Sequence, residues 1–400
     1  SGLSVVDVYT SDRFLSFLPL SHALERTAGY YLPMAAGAQV VFARSVAVLA
    51  EDLASQRPTL LIAVPRIFER VHGRIEAQLA RASHARRRLF ETTVRIGWSR
   101  FLHAQGRGPW RPSHMLWPLL DALVARKVRA RLGGRLRLVV SGGAPLAAEV
   151  ARVFIGLGVP VLQGYGLTET APQLSVNLPH DNDPASVGPP LPGVEIRLGE
   201  NDELLVRSPG MTRGYWNNPE ASAQLLRGGW LHTGDQARLE HGRIYITGRI
   251  KDVLVLSNGE KVPPEEMELA MALDPLIEQV LVVGEGCPYL AALAVLNEET
   301  WQGVARRLEL DPDAPESLVD RRVAQDVLHR MNARLHAFPA WAKIRRVHLT
   351  RTAWSVDNGL LTPTLKKKRA ELRKRFAAEI AALYADGPAQ ERHHHRTEHA

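Results

Sequence analysis

The run QGYGLTET, Gln163 to Thr170, brings together residue types that suit a nucleotide. Glycines let a ligand approach the backbone closely. Tyr165 can stack on a planar base, Thr168 can donate to a phosphate oxygen, and Glu169 can hold Mg2+, a hard cation that prefers oxygen. The same run can instead be a turn with Thr168 as the N-cap of the next segment, and on the run alone both readings stay open. A second glycine turn, Ser141-Gly142-Gly143-Ala144-Pro145, lies one α/β unit earlier. Thr233-Gly234-Asp235 is followed, 13 residues after Asp235, by Gly248-Arg249-Ile250-Lys251-Asp252. A carboxylate accepts two hydroxyl hydrogen bonds at once and so suits a ribose diol. An arginine suits the same ribose or a phosphate. The plain alternative is a surface Asp–Arg pair, worth little.

Residues 135–176 are expected to hold the two glycine loops in one α/β unit. RLRLVVSGGAPL reads as a strand running into a turn, AAEVARVFIGLG as a helix, and VPVLQGYGLTET as a second strand ending in a turn. Strand, crossover helix and strand imply a parallel sheet, with the ligand at the carboxyl ends of its strands. Upstream, FLSFLPLSH, AQVVFA and TLLIAVP read as buried strands. From Arg66 to about Arg131 apolar residues recur at helical spacing among arginines, with a break at GRGPWRPS. That predicts a pair of basic amphipathic helical segments. Residues 187–250 carry short strands with many Gly and Pro, a small β-rich subdomain. From Lys251 to about Tyr384 the pattern is α+β, with VLVL and VLVVGE as strands. PPEEMELAMA, SLVDRRVAQDVLHRMNARL and KKKRAELRKRFAAEIAALY read as its helices.

The composition narrows the class. The chain has 400 residues, 45% hydrophobic and 23% charged, an ordinary globular mixture that excludes a disordered or collagen-like chain. The single cysteine cannot form an internal disulfide, which suits a reducing compartment. No apolar run approaches the ~20 residues of a membrane-spanning helix. The formal charge of +8 invites a nucleic-acid reading. However, residues 57–137 hold 18 Lys and Arg against four acids, so the basicity belongs to one segment and the rest is slightly acidic. No nucleic-acid module accompanies that charge, and nucleic acid is not an expected partner.

FLPLSHALER, SGGAPL, QGYGLTET, GYWNNPEAS, GWLHTGD, GRIKDVLVLSNGEKVPPEEME and NGLLTPTLKKKR occur in this order from Phe17 to about Arg369. Together they resemble the adenylate-forming superfamily, specifically the long-chain fatty acid–CoA ligases. The resemblance implies an α/β fold: a large N-terminal domain with a parallel α/β sheet and a β-rich subdomain, residues 1–250, then a small mobile α+β C-terminal domain, residues 251–385. Residues 386–400 are expected to be a disordered tail, including the three histidines 393–395. The implied activity takes a fatty acid, ATP and CoA, with Mg2+, to acyl-CoA, AMP and pyrophosphate through an acyl-adenylate. By this resemblance Gly142, Gly143 and Ala144 line the adenine pocket, and Gln163, Gly164, Tyr165 and Gly166 continue it. Thr168 touches the α-phosphate and Glu169 ligates Mg2+. Asp235 and Arg249 hold the ribose, and Lys251 is the hinge. Lys366 bridges acyl carboxylate and phosphate, where the residues alone would read the KKKR run as a solvated helix start. His22 lies near the acyl–adenylate junction; as a residue beside an apolar strand it reads equally as a satisfied core histidine.

One family feature is missing. The Ser/Thr/Gly-rich loop ending in Pro-Lys-Gly, which cradles the β- and γ-phosphates, does not occur in residues 1–400. The chain is therefore expected to be the family minus much of its first N-terminal subdomain. The alternatives are a fatty acyl–AMP ligase and a non-catalytic remnant that binds nucleotide or acyl chain. The expected location is cytoplasmic. The basic segment 66–137 is a candidate for peripheral contact with the anionic inner face of a membrane, against a solvated arginine-rich face.

Overall fold

The structure is a computed structural model that describes residues 6–46 and 48–385. The chain divides into two compact units, Ser1–Ile250 and Lys251–Ala400. The expected tail and its three histidines lie outside the described residues.

The first unit is built on a six-stranded sheet. Its strands are β1 (Arg13–Ser16), β2 (Gln39–Phe42), β3 (Leu60–Ala63), β4 (Leu138–Ser141), β5 (Val161–Tyr165) and β6 (Ser175–Val176), in spatial order β2-β1-β3-β4-β5-β6. The first five pair in parallel and β6 runs antiparallel to β5. Leu60, Leu61, Ile62 and Ala63 are all buried, the continuous apolar pattern of a strand covered on both faces. The strand predicted in AQVVFA is present but not buried. It forms the sheet edge, and Gln39 and Phe42 are exposed. The strand predicted in FLSFLPLSH ends at Ser16, because Pro19 cannot donate to a ladder. The chain then turns into a π-helical stretch, Glu25–Tyr31.

The basic segment forms three helical stretches rather than the expected pair. Pro65–Ala80 and His84–Ala104 are separated at Ser83, whose side chain caps the second helix through the Arg86 amide. A third, irregular run covers residues 112–131. Helix His84–Ala104 crosses the crossover helix Ala148–Gly156 at a glycine pair. A Cβ at Gly97 would lie 1.8 Å from the Gly156 carbonyl oxygen, so the backbones touch.

The β-rich subdomain holds β7 (Glu195–Leu198), β8 (Glu203–Arg207), β9 (Leu226–Arg227), β10 (Trp230–Glu240) and β11 (Arg243–Arg249), all antiparallel. The second unit has a hairpin, β12 (Leu254–Val255) with β13 (Lys261–Val262), and a sheet of β14 (Ile277–Val283), β15 (Leu290–Leu296) and β16 (Ile344–Thr350). The predicted VLVL strand is only the two residues of β12. Strands β15 and β16 and helix Glu298–Arg307 were not anticipated. β15 is the alanine-rich run LAALAVL, low in β-branched residues, yet every residue in it is buried. One face of this sheet packs on a core around Trp301, Met267 and Val327, the other on Trp354, Leu361 and Leu372. The predicted last helix starts later and is broken, running Arg369–Arg375 and Ala377–Ala385.

Candidate functional site

Three loops leave the carboxyl edge of parallel strands. His22 follows β1, Gly142, Gly143 and Ala144 follow β4, and Gly164 and Tyr165 end β5, with Gly166, Thr168 and Glu169 beyond. Tertiary contacts join these loops. A Cβ at Gly142 would lie 3.3 Å from the Leu24 side chain, so the segment after His22 packs on the Ser141–Pro145 turn. Gly143 has φ +82°, a conformation that favours glycine. Gly166 is required for a different reason. A Cβ there would sit 1.5 Å from the Pro172 carbonyl oxygen, so the loop folds back onto its own backbone.

Gln163 does not offer its side chain to a base pocket. It is buried, accepts from the Leu146 amide at 3.1 Å, and donates to the Pro184 carbonyl. It fixes the loop after β4 from behind. Thr168 is not an N-cap. In the turn Thr168–Thr170 it is Thr170 that makes the local bonds, accepting from the Leu167 amide at 3.0 Å and donating to its carbonyl at 2.9 Å. Thr168 is exposed at the loop tip.

Asp235 and Arg249 are brought together by register: they face each other across β10 and β11, with Arg249 Nε donating to Asp235 Oδ1 at 2.8 Å. This is not the surface pair of the plain reading, since Asp235 is only 4% exposed. The β10 pairing shifts register around Thr233–Gln236, which bends the strand. Gly234 takes φ +71° and its amide donates to Glu203 Oε1 at 2.9 Å. The bend directs Asp235 towards β5, where the Tyr165 hydroxyl donates to Asp235 Oδ2 at 2.7 Å. Tyr165 packs against the subdomain core of Leu174, Leu204 and Leu231. Burial, then the charge of Asp235, pushes its phenol well above its ordinary value, so it stays a neutral donor. Each Asp235 oxygen has one protein partner and keeps further acceptor capacity, as a diol needs.

Glu169 is held at two points by the loop that leads into GYWNNPEAS, a motif to which the sequence reading gave no residue role. Its carbonyl accepts from the Thr212 amide at 2.7 Å, and its Oε1 accepts from the Tyr215 hydroxyl at 2.7 Å. That bond pushes the Tyr215 phenol up to about 12. Among the described residues no group of three or more His, Cys, Asp or Glu is placed to hold a metal. Glu169 fits Mg2+ as a single carboxylate ligand, the pattern in which substrate phosphates and water complete the shell.

Glu25 was also missed, although it stands three residues after His22. It is 1% exposed, its carboxyl lies against Gly29 where a Cβ would meet Oε1 at 2.5 Å, and Oε2 has no hydrogen-bond partner. Burial raises its pKa to about 7, against a smaller opposing effect of the Ser16 hydroxyl. Its signal was a charged residue in a segment that must lie over a buried sheet face.

Lys251 begins the second unit. Lys366 lies there in a tight turn rather than at a helix start. Its amide donates to Thr362 Oγ1 at 3.0 Å, its carbonyl accepts from the Thr362 amide at 2.8 Å, and Leu365 takes φ +62°. The basic run around it divides by role. Lys367 and Arg369 both bond the buried Glu268, Arg369 at 2.9 and 2.8 Å, while Lys366 is exposed.

The AMP-binding enzyme family matches residues 3–216, and the AMP-binding enzyme C-terminal domain matches residues 251–387. A long-chain-fatty-acid–CoA ligase, FadD15, of Mycobacterium bovis is 34% identical over 382 residues, covering 93% of this chain and 62% of that protein. A putative fatty-acid–CoA ligase, fadD11, of Mycobacterium tuberculosis is 31% identical, with 95% and 68% covered. The chain thus spans under two thirds of the FadD15 length. The adenylation domain of a carboxylate reductase from Mycobacterium chelonae superposes with a TM-score of 0.71 at 25% identity, covering 94% of this chain and 54% of that one.

Proposed function

The chain belongs to the AMP-binding enzyme family, and from that premise we propose that it activates a long-chain fatty acid with ATP and transfers the acyl group from the acyl-adenylate to CoA. The observation that carries the reading is Asp235, a buried carboxylate at the sheet edge held between Tyr165 and Arg249. In this assignment Asp235 and Arg249 bind the ribose. Gly142, Gly143, Ala144, Gly164, Tyr165 and Gly166 shape the base pocket, and Gln163 supports it from behind. Thr168 donates to the α-phosphate. Glu169 holds Mg2+, which supplies charge neutralisation at the phosphates when bound. Attack of a carboxylate on a phosphate brings two anions together, so a mobile cation is needed at the reacting oxygens. Lys366 has that role, a compact charge on a flexible stem. His22 lies beside the acyl end. The C-terminal unit is mobile, with Lys251 as its hinge. Among the described residues no helix is long and apolar enough to cross a membrane. We place the protein in the cytoplasm, with peripheral membrane contact through residues 66–137.

The test is Lys366→Ala, assayed for each half-reaction. Acid-dependent ATP–pyrophosphate exchange is expected to fall by about 10²–10³, while thioester formation from supplied acyl-adenylate is largely spared. Equal loss of both steps would overturn the role given to Lys366.

A further inference from the structure

The helical run 112–131 is apolar on two sides. One side is accounted for: Leu120 and Ala125 are buried, and Val124 and Val128 pack with Phe90 and Leu157 against helix His84–Ala104 and its neighbours. The other side is not covered. Met115, Leu116, Leu119 and Leu123 recur at helical spacing, with Trp110 just before them, and each is between 45% and 74% exposed. A surface helix ordinarily carries polar residues opposite its packed face. Clustered large apolar residues on a surface mark an interaction site.

The charge around this face says what covers it. Arg111, Arg126, Lys127 and Arg131 are exposed beside the apolar residues. Between Glu91 and Glu149 the chain has one acid, the largely buried Asp121, which pairs with Arg129 at 2.7 Å and more loosely with the exposed Arg126 at 3.6 Å. A nucleic acid would satisfy the arginines but leave Met115 and Leu119 in water. An anionic bilayer satisfies both. Apolar side chains enter the headgroup–acyl boundary, a tryptophan sits at the interface, and long basic side chains reach the headgroups.

We propose that Trp110 to Arg131 is a membrane-docking face, seating the protein on an anionic lipid bilayer through Trp110, Met115, Leu119 and Leu123 with Arg126 and Lys127 on the headgroups. This narrows the peripheral contact in the preceding reading from 66–137 to one helical face, and it rests on that reading only for the benefit of lying where an acyl substrate partitions. Docking needs no ATP, acid or CoA. A failure of docking therefore leaves the acyl-activation reading intact, and the converse also holds.

The experiment is co-sedimentation of the full chain with two kinds of vesicle: phosphatidylcholine alone, and equal parts phosphatidylcholine and phosphatidylglycerol. Binding is expected to the mixed vesicles only, and to weaken with salt. Each basic residue at an anionic surface is worth about fivefold in binding, so Arg126→Gln with Lys127→Gln is expected to weaken it roughly 25-fold. Met115→Ser with Leu119→Ser is expected to weaken it at least about tenfold. These side chains are exposed, so both double variants should melt as the parent does, which separates lost docking from lost folding. Equal binding to neutral vesicles, or unchanged binding in either variant, overturns the proposal. So does a self-association that Met115→Ser with Leu119→Ser abolishes while vesicle binding stays, since the face would then belong to a second copy. Loss of RNA binding in Arg126→Gln with Lys127→Gln, with vesicle binding intact, overturns it equally.

Discussion

Glu25→Gln is expected to flatten the dependence of stability on pH and to stabilise the first unit above neutrality. The Glu25 carboxyl is packed against Gly29, one oxygen has no partner, and burial raises its pKa from 4.5 to about 7. A carboxyl raised in the folded state binds its proton more tightly there than in the unfolded chain. Its stabilising contribution is present in full below about pH 4.5 and is lost as pH rises through about 7. At 1.36 kcal/mol for each tenfold difference in proton affinity, this group costs the parent protein roughly 2–3 kcal/mol between pH 5 and pH 8. Glutamine has the same shape and no charge to bury. It does place an amide donor where Oε2 has no partner, a penalty of about 1 kcal/mol that does not change with pH. Urea titrations at pH 5 and pH 8, followed on the transition of the first unit, read the difference between variant and parent. That difference is expected to shift by roughly 2–3 kcal/mol in favour of the variant at the higher pH. A shift below about 0.5 kcal/mol would show that the carboxyl is not held neutral by its surroundings.

Tyr215→Phe removes the hydroxyl that holds Glu169 Oε1. It is expected to raise the Mg2+ concentration for half-maximal pyrophosphate exchange about three- to tenfold, with the rate at saturating Mg2+ little changed. An unaltered Mg2+ dependence would separate the tyrosine from any metal role of Glu169. In the second unit, Glu268→Gln takes the charge away from Lys367 and Arg369 in a buried site. Breaking such a cluster is expected to cost about 3 kcal/mol, read from thermal unfolding of that unit. A loss of only about 0.5 kcal/mol would mean the cluster behaves as a surface pair.

The local elements that carry the site were legible because each is written in a short stretch. LVVS, the glycine turn, AEVARVFIG and VLQGY each show their own period, and strand–helix–strand with short turns leaves a parallel pair as the simplest arrangement. Glycines at 142, 143, 164 and 166 were visible as residues, but their reasons were not. Gly166 is needed because the Pro172 carbonyl lies where a Cβ would be, a contact six residues away through a turn. In the long basic segment the predicted break at GRGPWRPS is present between Ala104 and Pro112, but a second break after Ala80 was missed, because Ser83 caps the next helix within a run that keeps its helical period. β15 was missed because alanine and leucine carry little strand preference, and its place was set by burial between two cores.

What the sequence determined by itself was the set of candidate site residues, the order of the motifs and the layout of alternating strands and helices, because these depend on side-chain type and local spacing. The tertiary structure decided which of those residues work as partners. Tyr165 and Asp235 are 70 positions apart, and Tyr215 and Glu169 are 46 apart. No local pattern links them; they meet because a bent β10 and the loop after β8 fold back over the end of β5. The same holds for the exposed side of the 112–131 helical run. Its sequence shows two apolar stripes, and only the packing of Leu120 and Ala125 shows which one is left facing water.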